Sequence, residues 1–280
     1  MKKIFLSSIL LALVVSGFAQ QKTASCCAID ATGEFSRNAS SSNFKMSHDE
    51  PLPFVYYSEK GEDISFKAPD GTDAYGWEVK AEKKTKYYLF VIHEWWGLND
   101  YIKQESEKLA NDLGLNVIAL DLYDKKVAAT REDAAKYMQT VTTERAQAII
   151  KGAIAYAGKD SKIFTIGWCF GGGWSLQTTL LCGKQAAGAI MFYGQPEKDV
   201  EKLKTLSADV IGFFANRDQW PSPQVVDEFK ANMEKAGKNL NLNRYDADHA
   251  FANPSNPRFN KEATEDSYKK LTAFVKERMK

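Results

Sequence analysis

Polar and apolar residues change period several times along this chain. "DISFKAP" and "AYGWEVKA" place apolar side chains at alternate positions, with the turn signal "DGTD" between them. That pattern predicts a β-hairpin with Asp70-Gly71 at its tip. Next, "KYYLFVI" holds a continuous apolar run from Tyr88 to Ile92, as expected of a central strand buried on both faces. "YIKQESEKLANDLG" returns to helical spacing through Ile102, Leu109 and Leu113 and stops at Gly114.

The same exchange continues. "LNVIALDLY" reads as a buried strand, and "TREDAAKYMQTVTTERAQAIIKGAIAYAG" as two helices. "SKIFTIGWC" is a strand and "GGGWSLQTTLLCG" a helix. "AAGAIMFYG" and "ADVIGFFANRD" are strands, and "PQVVDEFKANMEKAG" is a helix. "LNLNRYDADHAF" is a strand and loop, and "TEDSYKKLTAFVKERMK" is a closing amphipathic helix. Strands alternating with helices predict an α/β fold: a mostly parallel central sheet with helices on both faces, preceded by the hairpin.

The first part of the chain breaks the pattern. Residues 1–19 begin with Lys2 and Lys3, continue with an apolar run from Ile4 to Val15, and end with the small residues Gly17 and Ala19. This is the layout of a cleavable secretory signal, too short to span a bilayer stably. The expectation is an exported protein, periplasmic or extracellular. A lipoprotein reading through Cys26 fits poorly, because "TASC" lacks the usual leucine. Residues 20–60 are rich in Ser, Thr, Asn and Ala and read as a flexible leader, with a partial strand near "FVYYS". His48, within it, is expected to be solvated. The single α/β domain then covers residues 61–280.

Composition narrows the function. The formal net charge is +1, and loss of Lys2 and Lys3 brings it to −1, which gives no electrostatic case for nucleic acid. No long apolar run follows the signal, so no membrane partner is expected once it is removed, and a monomer is expected. There are four cysteines, and export favours pairing. Cys26 and Cys27 are adjacent, so a bond between them would be strained. Cys169 and Cys182 would stand roughly 20 Å apart along one helix, too far for a disulfide. Cys169 therefore reads as a free thiol in an exported protein.

Reactive residues in such a sheet gather beyond the C-terminal ends of the strands. Glu94, Cys169, Asp218 and His249 each follow a predicted strand. Gly167-x-Cys169-x-Gly171 has the spacing of a nucleophile elbow with sulfur in place of oxygen. The alternative is a glycine-rich packing turn around a buried cysteine. The elbow reading has physical support. The new helix points its N-terminus at the sulfur, which favours thiolate, and the Phe170 N–H is placed to hold an oxyanion. A nucleophile of this kind needs a base and an orienting acid, and Cys169, Asp218 and His249 occur in the chain order of that fold. Asp246 and Asp248 are too near His249 in sequence, Asp209 begins its strand, and Asp121 reads as a turn residue. His93, beside Glu94, is a credible supporting residue. A zinc site built from three scattered histidines is improbable, and there is no H-E-x-x-H.

Together, "HEWWGLNDYI", "ALDLYD", "GWCFGGG", "FFANRD" and "DHAFAN" resemble the dienelactone hydrolase family of α/β-hydrolases, from about Asp63 to the C-terminus. The resemblance implies an α/β-hydrolase fold and a triad on Cys169, His249 and Asp218. It implies that Glu94 contacts the resting cysteine and takes part in its activation. A carboxylate near a thiol keeps it protonated and so resistant to oxidation. It also implies that the Trp95 N–H is the second oxyanion donor. Trp95 and Trp96 are expected to line the pocket mouth, core packing being the alternative. Family members that take dienelactone hold its carboxylate with two arginines. Asn253 stands at one of these positions, and Arg131 matches the other, a surface helix arginine being the alternative. The expected function is hydrolysis of a small-molecule ester or lactone through an acyl-enzyme, with no metal or organic cofactor. A thioesterase or acyltransferase on the same fold, and a non-catalytic binding protein, are the alternatives. A redox thiol protein fits less well, because no C-x-x-C is present.

Overall fold

The computed structural model describes residues 31–280; the signal segment, Cys26 and Cys27 lie outside the described residues. The chain forms β1 (Gly61–Lys67), β2 (Asp73–Val79), β3 (Tyr87–Ile92), β4 (Asn116–Asp121), β5 (Lys162–Trp168), β6 (Ala186–Phe192), β7 (Val210–Ala215) and β8 (Leu240–Tyr245). They make one eight-stranded sheet in the order β1-β2-β4-β3-β5-β6-β7-β8. β1 and β2 pair antiparallel as the predicted hairpin, β2 pairs antiparallel with β4, and the remaining pairs are parallel.

The helices are α1 (Ala31–Ala39), α2 (Ser42–Met46), α3 (Asp100–Leu113), α4 (Arg131–Thr140), α5 (Thr143–Ala157), α6 (Phe170–Cys182), α7 (Val200–Lys204), α8 (Pro223–Lys235) and α9 (Lys261–Arg278). Caps fix their ends. The side chains of Asn99, Thr130, Thr142 and Ser222 accept backbone N–H bonds at the starts of α3, α4, α5 and α8, and Gly114 ends α3 in the left-handed region at φ 67°. β3, β5, β6 and β7 are almost wholly buried, as their unbroken apolar runs require. No helix among the described residues is long and apolar enough to cross a membrane.

One expectation fails. From Ala31 onward the leader is not a flexible strand-bearing segment but two short helices packed on the domain. Ala39 and Phe44 are completely buried. The Phe44 ring sits edge-on to Trp95 and Trp220, with centroids 5.5 and 5.4 Å away. Burying one such ring contributes about 1.5–3 kcal/mol, enough to anchor a short helix that has little intrinsic stability. Residues 51–58, "FVYYS" included, form no strand.

Candidate active site

The site is assembled at the C-terminal edge of the sheet, and the glycines around Cys169 show how. Cys169 lies between β5 and α6 with φ 56° and ψ −117°, a strained conformation for a residue with a side chain. Its N–H donates to the Phe192 carbonyl at 3.0 Å, tying the turn to β6. A Cβ on Gly167 would lie 2.0 Å from the Gly171 oxygen, and one on Gly171 would lie 2.2 Å from the Ile92 oxygen. Only glycine permits that approach, so the glycines of "GWCFGGG" set the tight turn on which Cys169 sits.

The loop after β8 brings His249 to Asp218, which follows β7. His249 Nδ1 donates to Asp218 Oδ2 at 2.7 Å, and both residues are buried. With Nδ1 carrying the proton, the lone pair of Nε2 faces the sulfur; Nε2 is buried and has no hydrogen-bond partner. Burial opposes charge on His249, but the Asp218 carboxylate and the field of Cys169 outweigh it and hold the imidazole well above its usual range. Burial pushes the Cys169 thiol up; His249 pulls it down and Glu94 adds to the rise. The Phe170 N–H, first in α6, acts on the same sulfur.

Glu94, after β3, is buried and receives a 2.8 Å hydrogen bond from Asn253 Nδ2. Burial raises its carboxyl, while His249 and Asn253 act in the opposite direction. Glu94, Trp96, Trp168, Phe192 and Asn253 line part of a cavity of about 430 Å³, largely apolar, that does not reach Cys169 or His249 directly. Trp96 lines that cavity. Trp95 is fully buried, its ring 5.0 Å from that of Trp96. His93 is structural: its Nε2 accepts from the Leu122 N–H at 3.2 Å and its Nδ1 donates to the Glu94 carbonyl at 2.6 Å, stapling the ends of β3 and β4. Asp121 accepts the N–H groups of Tyr123 and Lys125 in a turn, and Asp246 and Asp248 pair with Arg217.

Sequence reasoning missed two residues. His48, expected in solvent, is buried against the sulfur. Its Nε2 is 3.5 Å from Cys169 Sγ, and its Nδ1 donates to the Phe44 carbonyl at 2.8 Å. The thiol is therefore the donor to His48. Burial first, then the charge of His249, holds His48 well below the usual imidazole range. The second is Arg258, which donates to the Ser47 carbonyl and lies 3.0 Å from Asp49 Oδ2. Arg131 supplies the opposite clamp: its Nε donates to the His48 carbonyl at 2.6 Å, and its terminal nitrogen lies 3.3 Å from Asp49 Oδ1. Two arginines thus converge on one carboxylate, that of Asp49 next to His48, and that carboxylate belongs to the leader. Cys169 and Cys182 are both free.

Comparison with known proteins identifies the family. A Saccharolobus solfataricus protein provisionally named carboxymethylenebutenolidase is 29% identical over 233 residues, covering 68% of this chain and 89% of that protein. Carboxymethylenebutenolidase 1 of Cupriavidus pinatubonensis is 25% identical over 193 residues, covering 63% and 80%. Among solved structures, a dienelactone hydrolase-like promiscuous phosphotriesterase from metagenomic libraries superposes with a TM-score of 0.69 at 18% identity, over 79% of this chain and all of that one. At that identity the likeness speaks for the fold alone. The model of the dienelactone hydrolase family matches residues 74–279. The chain belongs to the dienelactone hydrolase family, on an α/β-hydrolase fold.

Proposed function

We propose that this chain is an exported hydrolase that cleaves a carboxylic ester or lactone through an acyl-Cys169 intermediate. The observation that carries the reading is the 2.7 Å His249–Asp218 bond beside a buried cysteine held at φ 56° at the start of α6. His249 Nε2 takes the thiol proton. The thiolate attacks the carbonyl carbon, and the N–H groups of Phe170 and Trp95 hold the oxyanion. When the carbonyl re-forms, the C–O bond breaks and the alkoxide takes the proton from His249. Water then gives a proton to His249 and attacks the thioester. The acid leaves, and the sulfur recovers its proton.

Asp218 fixes the tautomer of His249 and stabilises its charged form. His48 has the Phe44 carbonyl and the Ser47 hydroxyl behind it rather than a carboxylate, and is held neutral, so it is the weaker base. Glu94 keeps the resting thiol protonated. The leader lifts to admit the carbonyl to the sulfur, and the part of the acyl group remote from Cys169 extends toward the 430 Å³ cavity beside Glu94, Trp96 and Asn253. Arg131 and Arg258 then exchange the Asp49 carboxylate for one on the substrate, which favours anionic esters.

The test is hydrolysis of a small aryl ester and of a dienelactone by purified protein, beside Cys169→Ala and His249→Ala. Wild-type rates equal to those of both variants across an ester and lactone panel would sink the reading. Export is checked by the mass of protein recovered outside the cytoplasm: loss of residues 1–19 is expected.

A further inference from the structure

Three soft or borderline metal ligands meet at one point, and the leader supplies one of them. Cys169 Sγ, His48 Nε2 and His249 Nε2 all lie within 4.8 Å of one another, and all three residues are buried. The two imidazoles are set up alike. His48 Nδ1 donates to the Phe44 carbonyl at 2.8 Å, and His249 Nδ1 donates to Asp218 at 2.7 Å. Each ring therefore turns a lone pair toward the sulfur from Nε2. A metal-bound histidine shows this same arrangement, with its outer nitrogen on a carboxylate or a backbone carbonyl.

The spacing fits as well. Tetrahedral zinc with normal Zn–S and Zn–N lengths puts sulfur and nitrogen about 3.6 Å apart. The Cys169–His48 edge is 3.5 Å. The other two edges, being no longer than 4.8 Å, need to close by at most about 1.5 Å. His249 Nε2 is buried without a hydrogen-bond partner, so an occupant of this point would satisfy it.

We propose that His48, His249 and Cys169 bind one thiophilic cation of the Zn²⁺ class and that this cation caps the nucleophile. Binding breaks the S–H bond, releases that proton to solvent and forms a metal–sulfur bond, with no change of oxidation state. A thiolate committed to the metal cannot attack a carbonyl, and His249 Nε2 cannot accept a proton. The cation is thus an inhibitor that also pins the leader, not a cofactor of turnover. The inhibitory half of the proposal rests on the hydrolase reading above; the binding half does not.

The test uses the full chain freed of metal, titrated with Co²⁺ as a spectroscopic probe and with Zn²⁺ in competition. One equivalent of Co²⁺ should give a thiolate-to-metal charge-transfer band with intense visible bands of four-coordinate geometry, lost on adding Zn²⁺. Cys169→Ala should abolish the charge-transfer band. His48→Gln should weaken binding by more than about tenfold, and Cys182→Ala should leave it unchanged. Where ester turnover is measurable, Zn²⁺ should inhibit the wild type reversibly, with chelator restoring the rate. His48→Gln should resist Zn²⁺, keeping a larger fraction of its own metal-free rate than the wild type does at the same Zn²⁺ concentration. Equal Co²⁺ affinity in wild type and His48→Gln, or a wild-type spectrum without the thiolate band, overturns the site. Absence of turnover on every ester overturns the hydrolase reading and leaves the spectra to decide the metal.

Discussion

Helix α6 has a cysteine at each end, and the two ends differ in everything but burial. Cys169 at the N-terminus is 1% exposed and Cys182 at the C-terminus 5%. Cys182 rests in apolar surroundings, and burial alone pushes its thiol up to about 12. Burial pushes Cys169 up too, but His249 works against that rise and Glu94 with it. Cys169 also sits in a left-handed backbone, at a helix N-terminus, on the edge where strands end. Burying a thiol makes it inert; a reactive one needs charges placed to oppose the burial.

The largest test of this contrast is removal of each sulfur. Cys169→Ala should reduce ester turnover by at least about 10⁴-fold. Cys182→Ala should leave turnover intact and cost about 1 kcal/mol in denaturant unfolding. Comparable activity losses at both ends would mean that α6 is needed only as a packing element.

How each end was legible follows from the range of its interactions. The elbow is local: Gly167, Cys169 and Gly171 fall within five residues between two apolar runs. Asp218, His249 and Glu94 are distant in sequence, but each ends a strand, so the topology gathers them. The leader has neither advantage. Its helices are short, and few of its residues are apolar. The arginine clamps on it come from Arg131, 83 positions beyond His48, and Arg258, 211 beyond Ser47. Nothing in "NPSNPRF" singles out Arg258 before the fold exists. α7, five residues long, is too short to show a period. His48 was unreadable for the same reason: its neighbours come from strands still to be built.

The clamp allows the next test. Charge-assisted hydrogen bonds contribute about 1.5–3 kcal/mol each when removed, and the partly exposed ion pairs of Arg131 and Arg258 with Asp49 add less. Arg131→Ala combined with Arg258→Ala should release the leader. Alkylation of Cys169 by iodoacetamide should then rise about ten- to a hundredfold, while Cys182 keeps its rate. A uniform rise at both cysteines would mean that the whole domain had loosened.

Glu94 tests the electrostatic half of the contrast. Its charge adds to the rise of the Cys169 thiol, after burial. Glu94→Gln removes that charge, so the alkylation profile of Cys169 should move to lower pH, and its rate near neutrality should rise severalfold. The profile of Cys182, where burial is the sole cause of the shift, should not move. An unmoved Cys169 profile removes Glu94 from the guarding role.

The smallest effect comes from the inert end. The Cys182 thiol rises from an ordinary 9.0 to about 12 in the folded chain. An acid raised on folding favours the folded state while it stays protonated. Its contribution is complete below the unfolded value and fades as pH climbs from there toward the folded one. Near pH 10 the unfolded chain has largely lost this proton and the folded chain has kept it. The wild type should therefore have lost about 1.4 kcal/mol through Cys182 by that point. Cys182→Ala has no such proton to lose, so the wild type's advantage of about 1 kcal/mol at pH 8 should close and slightly reverse by about pH 10. Urea unfolding at the two pH values, with Cys169→Ala as the common background so that the two proteins differ only at Cys182, isolates the difference. A gap that stays constant with pH would mean that Cys182 is hydrated in the folded chain, and that the two ends of α6 are less different than their surroundings imply.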